Sequence, residues 1–209
     1  KKYVSASQIH QWAFCPTAYH LKYDLGLVGQ VGSPAKIGKT FHDRIAQSLP
    51  KKEDPRIPKK WLNNYRLILN KLNLSDNLLI ELKVEEKING QAVLGFIDVL
   101  DLDRALVVDW KFSKRASKYN VQGYIYKELV RKLYGLDCQV AFCFVPLLQI
   151  KPMHPEDFLA GEEQFNAFLC RDKDNDGISA RPPGSAGAVD ITSIALTLIW
   201  SSRLNHDQP

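Results

Sequence analysis

Apolar positions in the first third of the chain recur at helical spacing. In "SASQIHQWAFCPTAYHLKY" Ile9, Trp12 and Ala13 share one face, and Ser5 with Gln8 three residues on forms a capping-box pattern. Pro16 starts or kinks a second helical stretch that carries Tyr19 and Tyr23. After the flexible "GLVGQVGSP", Ile37, Phe41 and Ile45 at i, i+4 and i+8 predict a helix over roughly 35–49, with His42 beside its apolar stripe. The Pro-broken, charged "PKKEDPRIPKK" reads as a loop, and "WLNNYRLILNKL" as the next helix.

From Leu79 onward the period shortens. "LLIELKVEEKI" and "QAVLGFIDVLDLD" flank Asn89-Gly90 and read as a hairpin, and "RALVVDWKFS" as a third strand. "KYNVQGYIYKELVRKLYG" returns to helical spacing and stops at Gly135. "CQVAFCFVPLL" reads as a further strand and "HPEDFLAGEEQFNAFLC" as a last helix. Helices, three consecutive strands, a helix, a strand and a helix predict an α/β fold with a mixed central sheet, not a doubly wound parallel one.

Composition narrows the class only a little. At 209 residues with 45% hydrophobic content, the chain suits one sizeable domain, with or without a tail. No apolar run approaches membrane-spanning length and the N-terminus lacks a signal-peptide core, so the expected address is cytoplasmic, with no membrane partner. A net charge of +5 mildly favours an anionic partner such as nucleic acid. The four cysteines form neither a compact disulfide framework nor a zinc pattern. We expect one domain over 1–172 and an atypical tail, non-native or disordered, over 173–209. In that region "DKDNDG" opens like a calcium loop, but Pro183 stands where the twelfth-position Glu belongs.

The middle of the chain carries the candidate chemistry. In "GFIDVL" Asp98 interrupts an apolar strand, on the expected face of Phe96 and Leu100. In "LVVDWKFS" Asp109 and Lys111 interrupt the next strand, and residues two apart in a strand point the same way. Buried carboxylates are costly without a cation. Lys111 is one such cation, and a divalent metal is another. Glu81 begins the preceding strand, and His42 offers an imidazole. Gln122 and Tyr126, at i and i+4, share a helix face. A structural ion pair accounts for Asp109 and Lys111 taken alone. Asp98 on the neighbouring strand weighs toward a built site.

Taken in order, "GKTFHDRI", "IELKV", "GFID", "VVDWK" and "QGYIY" resemble the motif series of the PD-(D/E)XK nuclease superfamily. The likeness is to its RecB-like branch, which includes the RecB and AddB nuclease domains and the CRISPR-associated RecB-like exonucleases. The Ser-capped opening helix with Cys15-Pro16 resembles that branch too, and the match runs from about residue 3 to 170. The resemblance implies a restriction-endonuclease-like core in α-β-β-β-α-β order. It also implies a metal-dependent deoxyribonuclease, an exonuclease preferring single-stranded DNA, serving recombination, repair, phage replication or CRISPR adaptation. The alternative is a non-catalytic nucleic-acid-binding module that keeps the fold.

By the same resemblance, His42, Asp98, Asp109 and the main-chain carbonyl of Trp110 would bind Mg²⁺ or Mn²⁺. Lys111 would position or deprotonate the attacking water. Glu81 would reach the metal through water or serve a second ion, and Gln122 and Tyr126 would orient Lys111 and the substrate. Beside such a centre Lys114, Arg115 and Lys118 become phosphate contacts. Lys127, Arg131 and Lys132 fit a solvated face. Tyr119, Tyr124 and Trp110 are candidates for base stacking, with core packing the competing role for Trp110. Many relatives hold a [4Fe–4S] cluster on four cysteines. Cys15 and Cys170 match two of those positions, as remnants of such a site. Cys138 and Cys143, five apart in one strand, point to opposite faces, so an intact cluster is not expected.

Overall fold

Asn89 and Gly90 both have positive φ, 49° and 83°, as a tight Asn-Gly hairpin turn requires. They join β2 (Leu78–Ile88) to β3 (Gln91–Asp101) in an antiparallel ladder. β4 (Leu106–Lys111) follows antiparallel to β3, and β5 (Gln139–Phe144) runs parallel to β4. β6 (Gln149–Pro152) then returns antiparallel, while β1 (Val4–Ser5) pairs parallel with Val93 and Leu94 of β3. Together they make a six-stranded mixed sheet, with β2 on the other edge of β3. This computed structural model describes residues 3–27 and 33–171, so the expected tail and its "DKDNDG" lie outside the described residues.

The expected elements are present, with three additions. α1 (Ala6–Phe14) begins at Ser5, whose hydroxyl accepts the Gln8 amide while Gln8 accepts the Ser5 amide, a complete capping box. α2 (Pro16–Tyr19) runs on into a π-helical turn over His20–Asp24 that the apolar pattern does not signal. α3 (Ser33–Ser48) and α4 (Lys59–Leu72) follow the predicted spacing. α5 (Asn120–Tyr134) ends at Gly135 with φ 67°, and α6 (Pro155–Cys170) closes the described chain. β1 and β6 were not predicted. One is two residues long, and the other forms because Val145–Leu147 turns as a 3₁₀ helix and reverses the chain.

Two apolar layers cover the sheet. Ile9, Ile97, Val107, Ile125, Leu129 and Phe165 belong to the layer shared with α1, α5 and α6. Phe41, Ile45, Tyr65, Ile68, Val108 and Trp110 belong to the layer shared with α3 and α4. α5 and α6 approach closely enough that a Cβ on Gly161 would stand 2.4 Å from the Asn120 carbonyl oxygen.

The period of two is broken where β2 and β3 cross the future site. Leu78 and Ile80 pack on the α3–α4 side, whereas Val84 and Ile88 pack on the α5 side. The change of face falls at Glu81, whose φ of 51° is left-handed and costs about 1–2 kcal/mol for a residue with a Cβ. β3 changes face at the opposite point, since Ile97 packs on the α5 side and Val99 on the α3–α4 side. Ile80 pairs with Val99 and Leu82 with Ile97, so Glu81 stands opposite Asp98. The expectation that Phe96, Asp98 and Leu100 share one face fails for this reason: Phe96 is 51% exposed while Leu100 is buried on the α5 side.

Candidate active site

β3 and β4 pair only over Val99↔Val108 to Asp101↔Leu106. Beyond that, β4 continues beside β5 as far as Lys111↔Phe144, while the earlier part of β3 turns to β1. The two strands therefore part at Asp98 and Asp109. Where the ladder stops, the Asp98 carboxylate takes over, with Oδ2 accepting the Trp110 amide at 2.7 Å. Backbone amides lost from a ladder need such a partner when buried.

His42 reaches the same oxygen from α3. Phe41 and Ile45 seat that helix in the core, and His42 Nδ1 lies 3.1 Å from Asp98 Oδ2. Glu81 completes a group of three whose ligand atoms all lie within 4.8 Å of one another. Burial pulls the His42 pKa down, but the hydrogen bond to Asp98 and the charges of Asp98 and Asp109 outweigh it and raise it above 6.5. Partial burial and the nearby Asp98 carboxylate raise that of Glu81.

Asp109 and Lys111 point together to the α5 side, as residues two apart should. Asp109 is 3% exposed, and its Oδ1 lies 2.7 Å from Lys111 Nζ. Gln122 ties the pair to α5: its Oε1 accepts from Lys111 Nζ at 3.2 Å, and its Nε2 donates to the Tyr126 hydroxyl at 2.6 Å and to Asp109 Oδ2 at 3.3 Å. Tyr126 in turn donates to the Phe96 carbonyl at 2.7 Å. Burial pushes the Asp109 carboxyl above the usual carboxylate range, opposed by Lys111 and reinforced by Asp98. Burial likewise drives the Tyr126 phenol well above its ordinary value, so it stays a neutral donor.

An aromatic floor supports Lys111. Its Nζ lies 4.2 Å from the centroid of Tyr119 and 5.4 Å from that of Phe142, and Tyr119 stacks on His10 of α1 at 4.7 Å. Burial and the Lys111 charge lower the His10 pKa to about 4, so it is neutral at physiological pH. In the sequence His10 carries no signal of this role beyond being a polar residue after the buried Ile9. Tyr119, expected to contact nucleic acid, has His10, Phe142 and Lys111 against its ring.

The other expected residues separate into groups. Lys114, Arg115 and Lys118 are exposed in the loop after β4. Lys127 pairs with Asp137, and Arg131 with Glu128. Base stacking on Trp110 or Tyr124 is corrected by burial: Trp110 packs against Tyr65 in the α3–α4 layer, and Tyr124 against Phe165 in the other. Cys138 and Cys143 lie in opposite layers, while Cys15 and Cys170 are partly or fully exposed, so these four thiols do not converge on one iron–sulfur cluster. A further buried acid, Asp101, is structural: it accepts from the Ser75 amide, the Ser75 hydroxyl and the Arg104 amide.

Two carboxylates and an imidazole, with a third, buried carboxylate one strand away, are donors of the kind that hold a divalent cation. The convergence of His42, Glu81 and Asp98 is compatible with a divalent ion.

No protein-family model matches the chain, and no curated protein matches it. Among solved structures, a protein of Eubacterium rectale provisionally named an exonuclease matches with a TM-score of 0.58 over 92% of both chains, at 13% identity. The two chains share a fold. The protein SSO0001 matches at a TM-score of 0.44 and 12% identity, over 80% of this chain and 77% of its own. Among the described residues no helix is long and apolar enough to cross a membrane.

Proposed function

We propose that this chain is a divalent-metal-dependent deoxyribonuclease of the RecB-like branch, an exonuclease that prefers single-stranded DNA. The observation that supports this reading is the convergence of His42, Glu81 and Asp98, with Asp98 accepting the Trp110 amide that lies between Asp109 and Lys111. The name of the Eubacterium rectale protein with the same fold supports a nuclease.

In this reading His42, Asp98 and Asp109 would hold the ion together with the Trp110 carbonyl, and Glu81 would reach it through water or serve a second ion. When bound, the metal polarises the scissile phosphate and lowers the pKa of an attacking water. The chain's own residues do the rest. Asp98, anchored by the Trp110 amide and His42, fixes the position of its free oxygen. Lys111, paired with Asp109, would orient the nucleophilic water and offset charge growing on the phosphoryl oxygens. Gln122 and Tyr126 hold the Asp109–Lys111 geometry and pay for the burial with hydrogen bonds. Lys114 and Arg115 contact the DNA backbone.

The test is digestion of 5′- and 3′-labelled single-stranded, double-stranded and circular DNA with Mg²⁺ or Mn²⁺. Release of mononucleotides from linear single strands, abolished by Asp109→Ala and by Lys111→Ala, is expected. Full cleavage by either variant would remove the assignment. Binding of DNA by the unaltered protein without any cleavage would favour the non-catalytic module.

A further inference from the structure

The Tyr119 and Phe142 rings that flank the Lys111 ammonium also wall a cavity of about 290 Å³. Its other walls come from the 117–120 segment that leads into α5, from β6 and from the first turn of α6. Lys118 and, from β6, Lys151 both line it, as do Ser117 and Asn120.

The charges in this cavity are out of balance. Some lysines of the protein find carboxylates, as Lys52 does with Asp76, Lys83 with Glu85 and Lys127 with Asp137. Among the described residues neither Lys118 nor Lys151 has a carboxylate at ion-pair distance. The one acid on the wall, Asp157, is committed to the start of α6, where its Oδ2 accepts the His154 amide at 3.1 Å. His154 is bound into the same reciprocal cap. The Lys151 ammonium stands 5.8 Å from the Phe144 ring, leaving its hydrogen-bond donors without an anionic partner. Two lysines from different elements thus line one concave space against a single carboxylate, Asp157, and a lining with this positive excess raises the local concentration of anions.

We infer that this cavity binds a backbone phosphate of the DNA strand next to the scissile one, with Lys118 and Lys151 as its ligands. The inference rests on the nuclease reading, which puts the scissile phosphate at Lys111, one aromatic ring away. Ser117 and Asn120 supply neutral donors to the same phosphate. Lys151 and the β6 edge then set how the strand leaves the centre, a role distinct from the loop lysine and arginine that follow β4.

The test is fluorescence anisotropy of a labelled single-stranded oligonucleotide over a salt series, with Ca²⁺ replacing the catalytic ion. Lys118→Ala/Lys151→Ala is compared with Lys52→Ala/Lys83→Ala, which removes two charges that are already paired. Two lost single-strand contacts are expected to lower the log–log salt slope by about 1.4 and to weaken binding about tenfold or more near 0.1 M salt, while the control keeps the unaltered slope. An unchanged slope in the first variant, or an equal fall in the control, overturns the site. Cleavage assays on the unaltered protein separate the two readings. A lowered slope without any cleavage keeps the phosphate site and removes the nuclease, whereas cleavage with an unchanged slope does the reverse.

Discussion

The Asp98 carboxylate accepts the main-chain amide of Trp110 at 2.7 Å, so an acid on one strand is fixed by the peptide between the acid and the lysine of the next. This bond couples the two halves of the candidate centre. Asp98→Asn keeps an acceptor for that amide but removes a charge from the donor set. The expected outcome is a loss of Mn²⁺-dependent cleavage of about 10²-fold or more, with a melting temperature close to that of the unaltered protein. Isothermal titration with Mn²⁺ and thermal denaturation check the two halves separately. Undiminished metal affinity would exclude Asp98 as a ligand.

Lys111 is the only cation in contact with the buried Asp109 among the described residues. Lys111→Met removes both the compensating charge and the group facing the phosphate. Cleavage is expected to fall by about 10²–10³-fold, the range for losing one preorganised charge-stabilising donor. Asp109 is expected to take up a proton more readily, since burial already raises its pKa and Lys111 is the largest opposing influence. Single-turnover kinetics and NMR titration of the carboxyl measure these effects. Wild-type rates with a shifted Asp109 would make Lys111 purely structural.

Protons and metal compete at His42. Its pKa in the metal-free protein lies above the ordinary 6.5, so the protonated ring paired with Asp98 stabilises the fold fully below that value. This contribution is lost as pH rises through the raised value. Metal binding needs the neutral ring, so affinity is expected to increase over the same interval. Thermal denaturation with saturating Mn²⁺ and with EDTA should therefore diverge more at pH 8 than at pH 5.5. At 100 times the dissociation constant the metal adds about 2.7 kcal/mol. A gap independent of pH would place the metal away from His42.

The His10–Tyr119 stack offers a subtler test. His10→Phe keeps a flat ring against Tyr119, whereas His10→Ala leaves Tyr119 free to move from beneath Lys111. A fall in kcat of several-fold in the alanine variant, restored by phenylalanine with KM unchanged, is expected for a positioning role. Equal losses in both variants would point to a direct contact of the imidazole with substrate.

Gly161 tests the packing that seats α5. The alanine Cβ would collide with the Asn120 carbonyl, a backbone atom at the helix start just before Gln122. Gly161→Ala is expected to cost about 1–3 kcal/mol by overpacking. Chemical denaturation measures it, and a neutral result would mean that α6 shifts freely.

Much of this protein is legible in its one-dimensional pattern. Ser5 and Gln8 close the capping box they foretell, Asn89-Gly90 makes the hairpin turn, and Gly135 ends α5. The i+2 and i+4 spacings correctly bring Lys111 to Asp109 and Gln122 to Tyr126, because those contacts follow from strand and helix geometry alone. Local periodicity also sends Cys138 and Cys143 to opposite layers.

What the tertiary structure alone decided is how separate elements meet. The change of face at Glu81 and Asp98 breaks the alternation from which their neighbours were read, and a left-handed residue in mid-strand has no signature in composition. The parting of β3 from β4, which frees the Trp110 amide for Asp98, goes with β1 taking the earlier part of the same β3 edge, while β4 runs on beside β5. His10 comes to Tyr119, and Lys151 to the cavity beside it, across more than a hundred and more than thirty residues of chain. Such contacts are set by how the layers pack on the twisted sheet, and no short-range pattern of side chains carries that information.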